Sequence, residues 1–229
     1  MGKRIISQAR GKGSLTYQVR KQAYKYRIKY PSLKGEAEII KIIHSAAHTA
    51  PLMKLKLKNE TFYLPAFNGA FVGQKIFIGG EAKEGNVSAL RNIPIGVRIY
   101  NVERNPGDGG KFIRTSGSSA AITKKQNSVV TIVFPSKKEI LLNENCLATI
   151  GIIAGDGRIL KPFVTAGRKH YKMKARNKLW PRTSAVKMNA IDHPFGSGRG
   201  KRIKPKIAKR NSPPGTKVGH LRPRRTGRK

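Results

Sequence analysis

Short runs of alternating apolar and polar residues occupy the centre of the chain. Residues 52–59, LMKLKLKN, alternate apolar and basic side chains, which is typical of a strand that buries one face. Further apolar runs at residues 36–44, 61–67 and 74–80 are separated by glycine, proline and asparagine. We predict that these strands form a small barrel over residues 35–96.

A second group of apolar runs begins after a loop that contains residues 84–92. We expect it to form another small barrel, over residues 97–166, and we detect no clear sequence repeat between the two groups. Each barrel buries little area and is marginal in stability alone. The predicted fold class is therefore all-β, with two small barrels in tandem. The runs of the second group are residues 97–103, 111–117, 119–125, 128–134, 138–142 and 146–155.

Positive charge is concentrated at the two ends of the chain. The formal net charge is +37, from 48 Lys and Arg against 11 Asp and Glu. Residues 1–34 contain 10 basic and no acidic residues, and residues 167–229 contain 21 basic residues and one acidic residue. Neither segment has enough apolar periodicity to bury a core. We therefore expect two basic arms, largely non-regular, that become ordered against a partner.

The charge indicates a polyanionic partner, because self-repulsion of this size opposes compaction. A sequence pI near 11.1 with dispersed Lys and Arg is typical of nucleic-acid binding. An anionic membrane is the other common partner of basic chains. However, we find no apolar run long enough to cross a bilayer, and no apolar signal core follows the first residues. We expect a cytosolic nucleic-acid-binding protein without a membrane partner.

Several short motifs suggest chemistry but favour structural roles. Cys146 is the single cysteine, so no internal disulfide or cysteine-based zinc site is expected, and its apolar run favours a small buried side chain. His44 and His48 have a metal-ligand spacing for a helix, but they follow a predicted strand and lack the glutamate of zinc proteases. Residues 106–112, PGDGGKF, fail the phosphate-loop spacing and favour a turn. We predict no protein metal site.

Asp192 and His193 form the sharpest candidate pair. Asp192 is the single acidic residue of the C-terminal arm and directly precedes His193 in a glycine-rich loop. A carboxylate beside an imidazole could bias its tautomer for acid–base work, but no serine or cysteine nucleophile motif accompanies the pair. We favour Asp192 as a turn residue and His193 as a contact to a folded polyanion. Trp180 either stacks on a base or holds the arm against the barrels.

Residues 188–200, MNAIDHPFGSGRG, resemble the Met-Asn-x-x-Asp-His-Pro segment of the universal large-subunit ribosomal protein number two. The resemblance extends over essentially the whole chain. Phe195 after the proline, and the compact length, resemble the archaeal form of that family. The other segments that resemble the family are residues 1–14, 146–151, 161–182 and 213–228.

This resemblance implies an OB-fold followed by an SH3-like barrel, with arms threaded into ribosomal RNA. It implies binding to large-subunit ribosomal RNA and support for subunit association, tRNA placement and organisation of the peptidyl transferase centre. The implied partners are neighbouring ribosomal proteins, small-subunit RNA across the subunit interface and, indirectly, tRNA. No cofactor is expected, although magnesium ions that bridge to RNA are compatible with this picture. Peptide-bond chemistry belongs to RNA in this setting, so we expect no enzyme.

The candidate RNA-binding residues lie in the two arms. Lysine and arginine would neutralise phosphates and release counterions, while the loop would reach toward the peptidyl transferase centre. The candidate RNA-binding residues are Lys3, Arg4, Arg10, Lys12, Arg168, Lys172, Lys174, Arg176, Trp180, Asp192, His193, Pro194, Phe195, Gly196, Gly198, Arg199, Lys201, Arg202, Arg224 and Arg225.

Two alternative functions remain open. One is a basic chromosomal DNA-binding protein, and the other is a hydrolase that uses the Asp-His pair.

Overall fold

The computed structural model describes residues 4–13, 18, 21–196, 211 and 218–219. The chain divides into two compact units. We call Lys21–Thr165 the barrel unit, and Met1–Arg20 together with Ala166–Lys229 the arm unit. In the described part of the chain, no helix is long and apolar enough to span a membrane.

The regular structure of the barrel unit is mainly β-strand. This confirms the predicted all-β fold class, because the remaining regular structure of the described residues is limited to short helices. The strands are β1 Gly35–Ile43, β2 Leu52–Leu57, β3 Glu60–Pro65, β4 Lys75–Ile78, β5 Val87–Ala89, β6 Arg98–Tyr100, β7 Ala120–Gln126, β8 Val129–Val133, β9 Glu139–Asn143 and β10 Leu147–Ile150. The helices are α1 Ile6–Gly11 and α2 Ala166–Ala175, with single 3-10 turns at Lys21–Tyr24, Leu90–Asn92, Asp156–Arg158 and Ala185–Lys187.

All ten strands of the described residues join one continuous ladder, in the order β3-β2-β1-β4-β5-β10-β6-β7-β8-β9. Neighbouring strands are antiparallel except for β4 and β5. The register shifts between Ile39 and Lys41 in β1 and between Ile122 and Lys124 in β7. Irregularities of this kind bend a strand and increase its twist, which allows a sheet to curl into barrels.

Two hydrophobic clusters lie on opposite sides of β6 and β10. Ile99 belongs to one cluster and the adjacent Tyr100 to the other, because successive side chains of a strand point to opposite faces. In β10, Leu147 packs against the first cluster and Ala148 belongs to the second. These two strands therefore form a wall shared by two cores. Two cores are compatible with the OB-fold and SH3-like barrel that the resemblance implies.

Residues 21–34, which the sequence assigns to the N-terminal arm, belong to the barrel unit in the structure. Tyr30 explains this placement, because its side chain is buried and its hydroxyl donates to the carbonyl of Asn101 at 2.7 Å. The same hydroxyl lies 2.8 Å from Oγ1 of Thr149. Burial raises the pKa of this hydroxyl, so it remains a hydrogen-bond donor. The predicted boundaries of the two barrels, at residues 35–96 and 97–166, stay predictions.

Candidate nucleic-acid interface

Helix α2 gives the arm unit an ordered basic surface. No residue of this helix is buried, and both Arg168 and Lys174 are exposed. Arg168 and Lys172 lie four residues apart and therefore share one helix face. Arg176 follows directly after the helix end. Three of the four predicted contact residues of this segment thus lie in one short helix, where an irregular arm was expected.

Trp180 packs against α2 within the arm unit. The Nζ atom of Lys169 lies 5.3 Å from the centroid of the Trp180 ring, and the His170 ring centroid lies 6.5 Å away. A cation above an indole face is attracted by the ring quadrupole. Lys169 was not among the predicted contact residues, although it directly follows Arg168 in a basic segment. Whether Trp180 also stacks on a base stays a prediction.

The Asp-His segment folds into a compact turn. The carbonyl of Asn189 accepts hydrogen bonds from the backbone N–H groups of Asp192, at 3.0 Å, and His193, at 3.2 Å. The carbonyl of His193 accepts from the N–H of Gly196 at 2.8 Å. The loop is therefore held by hydrogen bonds of its own backbone. The turn role favoured for the Asp192 side chain stays a prediction.

His193 is oriented by the backbone of its own loop. Its Nδ1 accepts a hydrogen bond from the N–H of Phe195 at 3.0 Å, and the two rings lie 5.1 Å apart between centroids. Because a donor occupies Nδ1, a neutral ring carries its proton on Nε2. The tautomer follows from this backbone donor, rather than from the carboxylate of the preceding Asp192. Nε2 is the ring nitrogen left to contact a partner.

Gly196 closes the loop by close packing. It is buried, and an added Cβ would lie 2.6 Å from the carbonyl oxygen of Met188 and 2.5 Å from the carbonyl carbon of Asn189. Real Cβ atoms do not approach backbone atoms so closely. Glycine is therefore required here by space, which gives this residue a structural role beyond its predicted contact to RNA.

The remaining predicted contact residues are only partly described. Arg4, Arg10 and Lys12 are exposed, and Arg4 lies beside the Asp-His loop in the arm unit. Pro194 is exposed within that loop. Seven predicted contacts lie outside the described residues: Lys3, Gly198, Arg199, Lys201, Arg202, Arg224 and Arg225.

Comparison with known proteins decides the family. The family model described as Ribosomal Proteins L2, C-terminal domain, matches residues 83–216, which is more than half of the chain. The chain belongs to the ribosomal protein L2 family. It is therefore a ribosomal protein, with a role in translation, and the resemblance stated from the Asp-His loop and its flanking segments is confirmed.

Full-length relatives place the chain with the archaeal L2 proteins. The large ribosomal subunit protein uL2 of Archaeoglobus fulgidus is 45% identical over 235 residues, covering 99% of each chain. The uL2 of Methanococcoides burtonii is 42% identical over 237 residues, and that of Methanothrix thermoacetophila is 43% identical over 236 residues. Both of these alignments cover 100% of each chain.

The glycine-rich turn at residues 106–112 of this L2 chain is filled by a carboxylate of the protein. Glu103 is fully buried, and its two oxygens accept from the N–H groups of Gly107, at 3.2 Å, Gly109, at 2.9 Å, and Leu147, at 2.9 Å. Asp108 accepts from the N–H of Gly110 at 3.1 Å. The amides that could have cradled a phosphate therefore already hold internal acceptors. Glu103 was not predicted, because nothing in the local sequence marks it as buried.

His48 contacts side chains of the barrel unit. His48 Nδ1 lies 2.8 Å from the hydroxyl of Ser45, and its ring meets Tyr24 edge to face at 6.0 Å. Its pKa is lowered, first by burial and second by the positive charge of Arg114. His44 is exposed. Among the described residues, no group of three or more His, Cys, Asp or Glu is placed to hold a metal ion.

Cys146 is a buried part of the second hydrophobic cluster. Burial, and next the negative charge of Glu103, raise the pKa of its thiol to about 11. A thiol that stays protonated is a poor nucleophile. This environment supports the structural role expected for the residue.

Proposed function

We propose that this chain is a structural constituent of the large ribosomal subunit that binds large-subunit ribosomal RNA. One observation carries the proposal: positive charge is separated from the folded core. Residues 1–20 contain 5 basic residues and residues 166–229 contain 21, against the single acidic Asp192. The described part of this arm unit exposes a basic helix with no buried residue. Such a surface favours a polyanion over a protein core.

The proposed mechanism is scaffolding. Lysine and arginine of the arm unit neutralise phosphates that RNA packing brings together, and the released counterions supply free energy. A-form RNA has a deep, narrow major groove, so recognition relies on shape, backbone and unpaired bases. The barrel unit contributes a folded anchor, because it has its own buried clusters.

The more specific role that we propose is the one implied by the family resemblance. We infer that the chain supports subunit association, tRNA placement and organisation of the peptidyl transferase centre, and that it is no enzyme. The hydrogen bond to Nδ1 of His193 supports an RNA contact by this loop, since Nε2 is then the remaining ring nitrogen. Partners would be neighbouring ribosomal proteins, small-subunit RNA and, indirectly, tRNA, within ribosomes of the cytoplasm. Magnesium ions that bridge chain and RNA stay a prediction.

Sedimentation with crosslink mapping tests this proposal. The native protein is sedimented from lysate through a high-salt sucrose gradient, and its RNA crosslinks are mapped. We expect co-migration with the large subunit, with residues 189–202 crosslinked near the catalytic RNA core. Recovery as free protein, or mainly with DNA, would contradict the proposal and favour a chromosomal role.

A further inference from the structure

Helix α2 of the arm unit has a packed side and an open side. Lys169 and Met173 are half-buried, and Nζ of Lys169 lies 5.3 Å from the centroid of the Trp180 ring. Gly167, Tyr171 and Lys174 are exposed. Their spacing of four and three residues places them on one side of the helix, which we call the open side of α2.

Tyr171 presents an aromatic ring at the middle of the open side. Its side chain is 71% exposed, more than that of any other Phe, Tyr or Trp among the described residues. The ring of His170 stands at 80° to it, with 5.6 Å between the two centroids. In such an edge-to-face pair, a ring is contacted on at most one face. At least one face of the Tyr171 ring therefore remains for a further ring.

Gly167 leaves space beside this ring. Side chains of a helix lean towards the turn that precedes them, and for Tyr171 that turn contains Gly167. A Cβ added at Gly167 would meet nothing within 4 Å. A flat group that covers the Tyr171 ring would thus meet no side chain at this position.

The charge around the Tyr171 ring is positive. Lys174 lies three residues after it and Arg168 three residues before it, and both are exposed. Helix α2 contains no acidic residue, so an anion meets no repulsion from the helix itself. An isolated exposed apolar side chain is ordinary on a protein surface. An aromatic ring beside cations, however, is the arrangement with which proteins bind unpaired nucleotides.

We propose that Tyr171 stacks on one unpaired base of RNA while Lys174 contacts a neighbouring phosphate. The charge of α2 favours this occupant, because a nucleotide supplies both an anion and a flat ring. One exposed ring is also too small an apolar area for a stable protein interface. The site deepens the proposed RNA-binding function and rests on it.

The site selects unpaired nucleotides rather than one particular base. Every base has a π-face, so stacking on tyrosine tolerates any sequence. In a continuous duplex both faces of each base are covered by its neighbours. The open side of α2 should therefore favour loops, bulges and strand ends, where bases are free to leave the stack.

Binding of the full chain to two single strands tests the proposal. One is a short RNA of mixed sequence, and the other is an abasic ribose-phosphate strand of the same length. Affinities are measured by fluorescence anisotropy at one salt concentration. Tyr171→Ala should weaken binding of the RNA by about fivefold to about a hundredfold, which corresponds to about 1–3 kcal/mol, and leave the abasic strand unchanged. Tyr171→Phe keeps the ring and should bind both strands like the wild type.

Nuclear magnetic resonance observes the ring directly. In protein labelled at its tyrosine rings, the Tyr171 signals are assigned by their loss in Tyr171→Phe. Addition of the RNA should move these signals upfield, because a stacked base shields the ring, and the abasic strand should not. Circular dichroism checks that each variant keeps its fold.

Lys174→Gln separates the phosphate contact from stacking. It should weaken binding of both strands and lower the slope of log K against log salt by about 1. Tyr171→Ala should leave this slope unchanged, since stacking releases no counterion.

Equal losses for the two strands in Tyr171→Ala, or unmoved Tyr171 signals, overturn the stacking site and leave RNA binding intact. If Tyr171→Ala is lost from assembled subunits but binds both strands like the wild type, the open side contacts a protein neighbour and the proposal is wrong. Release of the wild-type chain from large subunits in the high-salt gradient instead overturns the proposed function itself. The two failures are therefore distinguishable.

Discussion

The N–H of Phe195 donates to Nδ1 of His193 at 3.0 Å. A residue two positions further along the chain therefore fixes the ring that the family resemblance marks as functional. The hydrogen bond turns His193 into a loop-forming residue as well as a surface residue. Its two ring nitrogens accordingly have separate tasks, because Nδ1 holds the loop and Nε2 remains for a partner.

Substitution of His193 by two amides separates these tasks. Asparagine places its carbonyl oxygen near the position of Nδ1, whereas glutamine places its own near Nε2. We expect His193→Asn to keep the Phe195 amide protected from hydrogen exchange and His193→Gln to lose that protection, at a cost of about 1 kcal/mol in loop stability. Equal protection in both variants would show that the bond does not hold the loop.

The same glutamine variant addresses catalysis. We expect large subunits that contain His193→Gln to assemble and to form peptide bonds at a rate close to that of the wild type, since the loop is proposed to be a scaffold. The measurement is peptidyl transfer on purified subunits with matched protein content. Intact assembly with abolished peptidyl transfer would contradict the scaffolding role.

Gly196→Ala tests the closed packing of the loop. The added Cβ would lie 2.6 Å from the Met188 carbonyl oxygen, so we expect a loss of about 1–3 kcal/mol in loop stability and faster proteolysis within residues 188–196. Gly167→Ala is the matched control, because a Cβ there meets nothing within 4 Å. In helix α2 this alanine should be neutral or stabilising by up to about 1 kcal/mol.

Glu103→Gln tests the buried carboxylate of the barrel unit. Glutamine keeps the shape but replaces one acceptor oxygen with a donor that faces backbone N–H groups. We expect the free energy of unfolding to fall by about 2–4 kcal/mol in urea denaturation, because buried donors lose a charged acceptor. Asp108→Asn, in the same turn but half-buried, should cost less. Similar losses for the two variants would exclude burial as the cause.

Stability at acid pH depends on His48. Burial and the charge of Arg114 lower its pKa, so the fold favours the neutral ring. This contribution is complete above the ordinary pKa of about 6.5 and is lost as the pH falls through the lowered value. Urea midpoints measured from pH 7.5 to 4.5 should decline less in His48→Gln than in the wild type. His44→Gln, at an exposed position, should follow the wild-type curve.

Salt dependence tests the phosphate contacts of α2. Removal of one contact lowers the slope of log K against log salt by about 1. We expect this change for Lys174→Gln on large-subunit RNA fragments. Lys83→Gln is the control, because Lys83 pairs with Glu81 at 3.3 Å on the barrel unit. An unchanged slope for Lys174→Gln would show that Lys174 does not contact a phosphate of the RNA.

Several features follow from local sequence. The alternation of residues 52–59 predicts β2 and its buried face, because the period of a strand is two residues in any environment. Separation of charge predicts the basic arms, since Lys and Arg in such numbers cannot be buried. The Asp-His motif locates the loop, whose turn hydrogen bonds span few residues. Each of these signals is local or compositional.

Other features depend on contacts between residues far apart in the chain. Residues 87–89 form β5, inside a predicted loop, because β10 supplies their antiparallel partner. Residues 111–117 contribute an isolated bridge between Phe112 and Val102 in place of a strand, and Ile113 adopts a left-handed backbone that interrupts an extended run. A three-residue strand and a positive φ leave almost no trace in hydrophobic pattern.

The sequence by itself determined the all-β centre, the basic arms and the position of the Asp-His loop, because periodicity, charge and turn residues act over short distances. Only the tertiary structure decided that Ile99 and Tyr100 belong to different hydrophobic cores. It also decided that the Glu103 carboxylate accepts hydrogen bonds from the glycine turn. In the arm unit, it decided that Arg4 and Asp192 line the same cavity. Strand pairing and buried hydrogen bonds join residues that are distant in the chain. Their partners are chosen by packing, which no short stretch of sequence specifies.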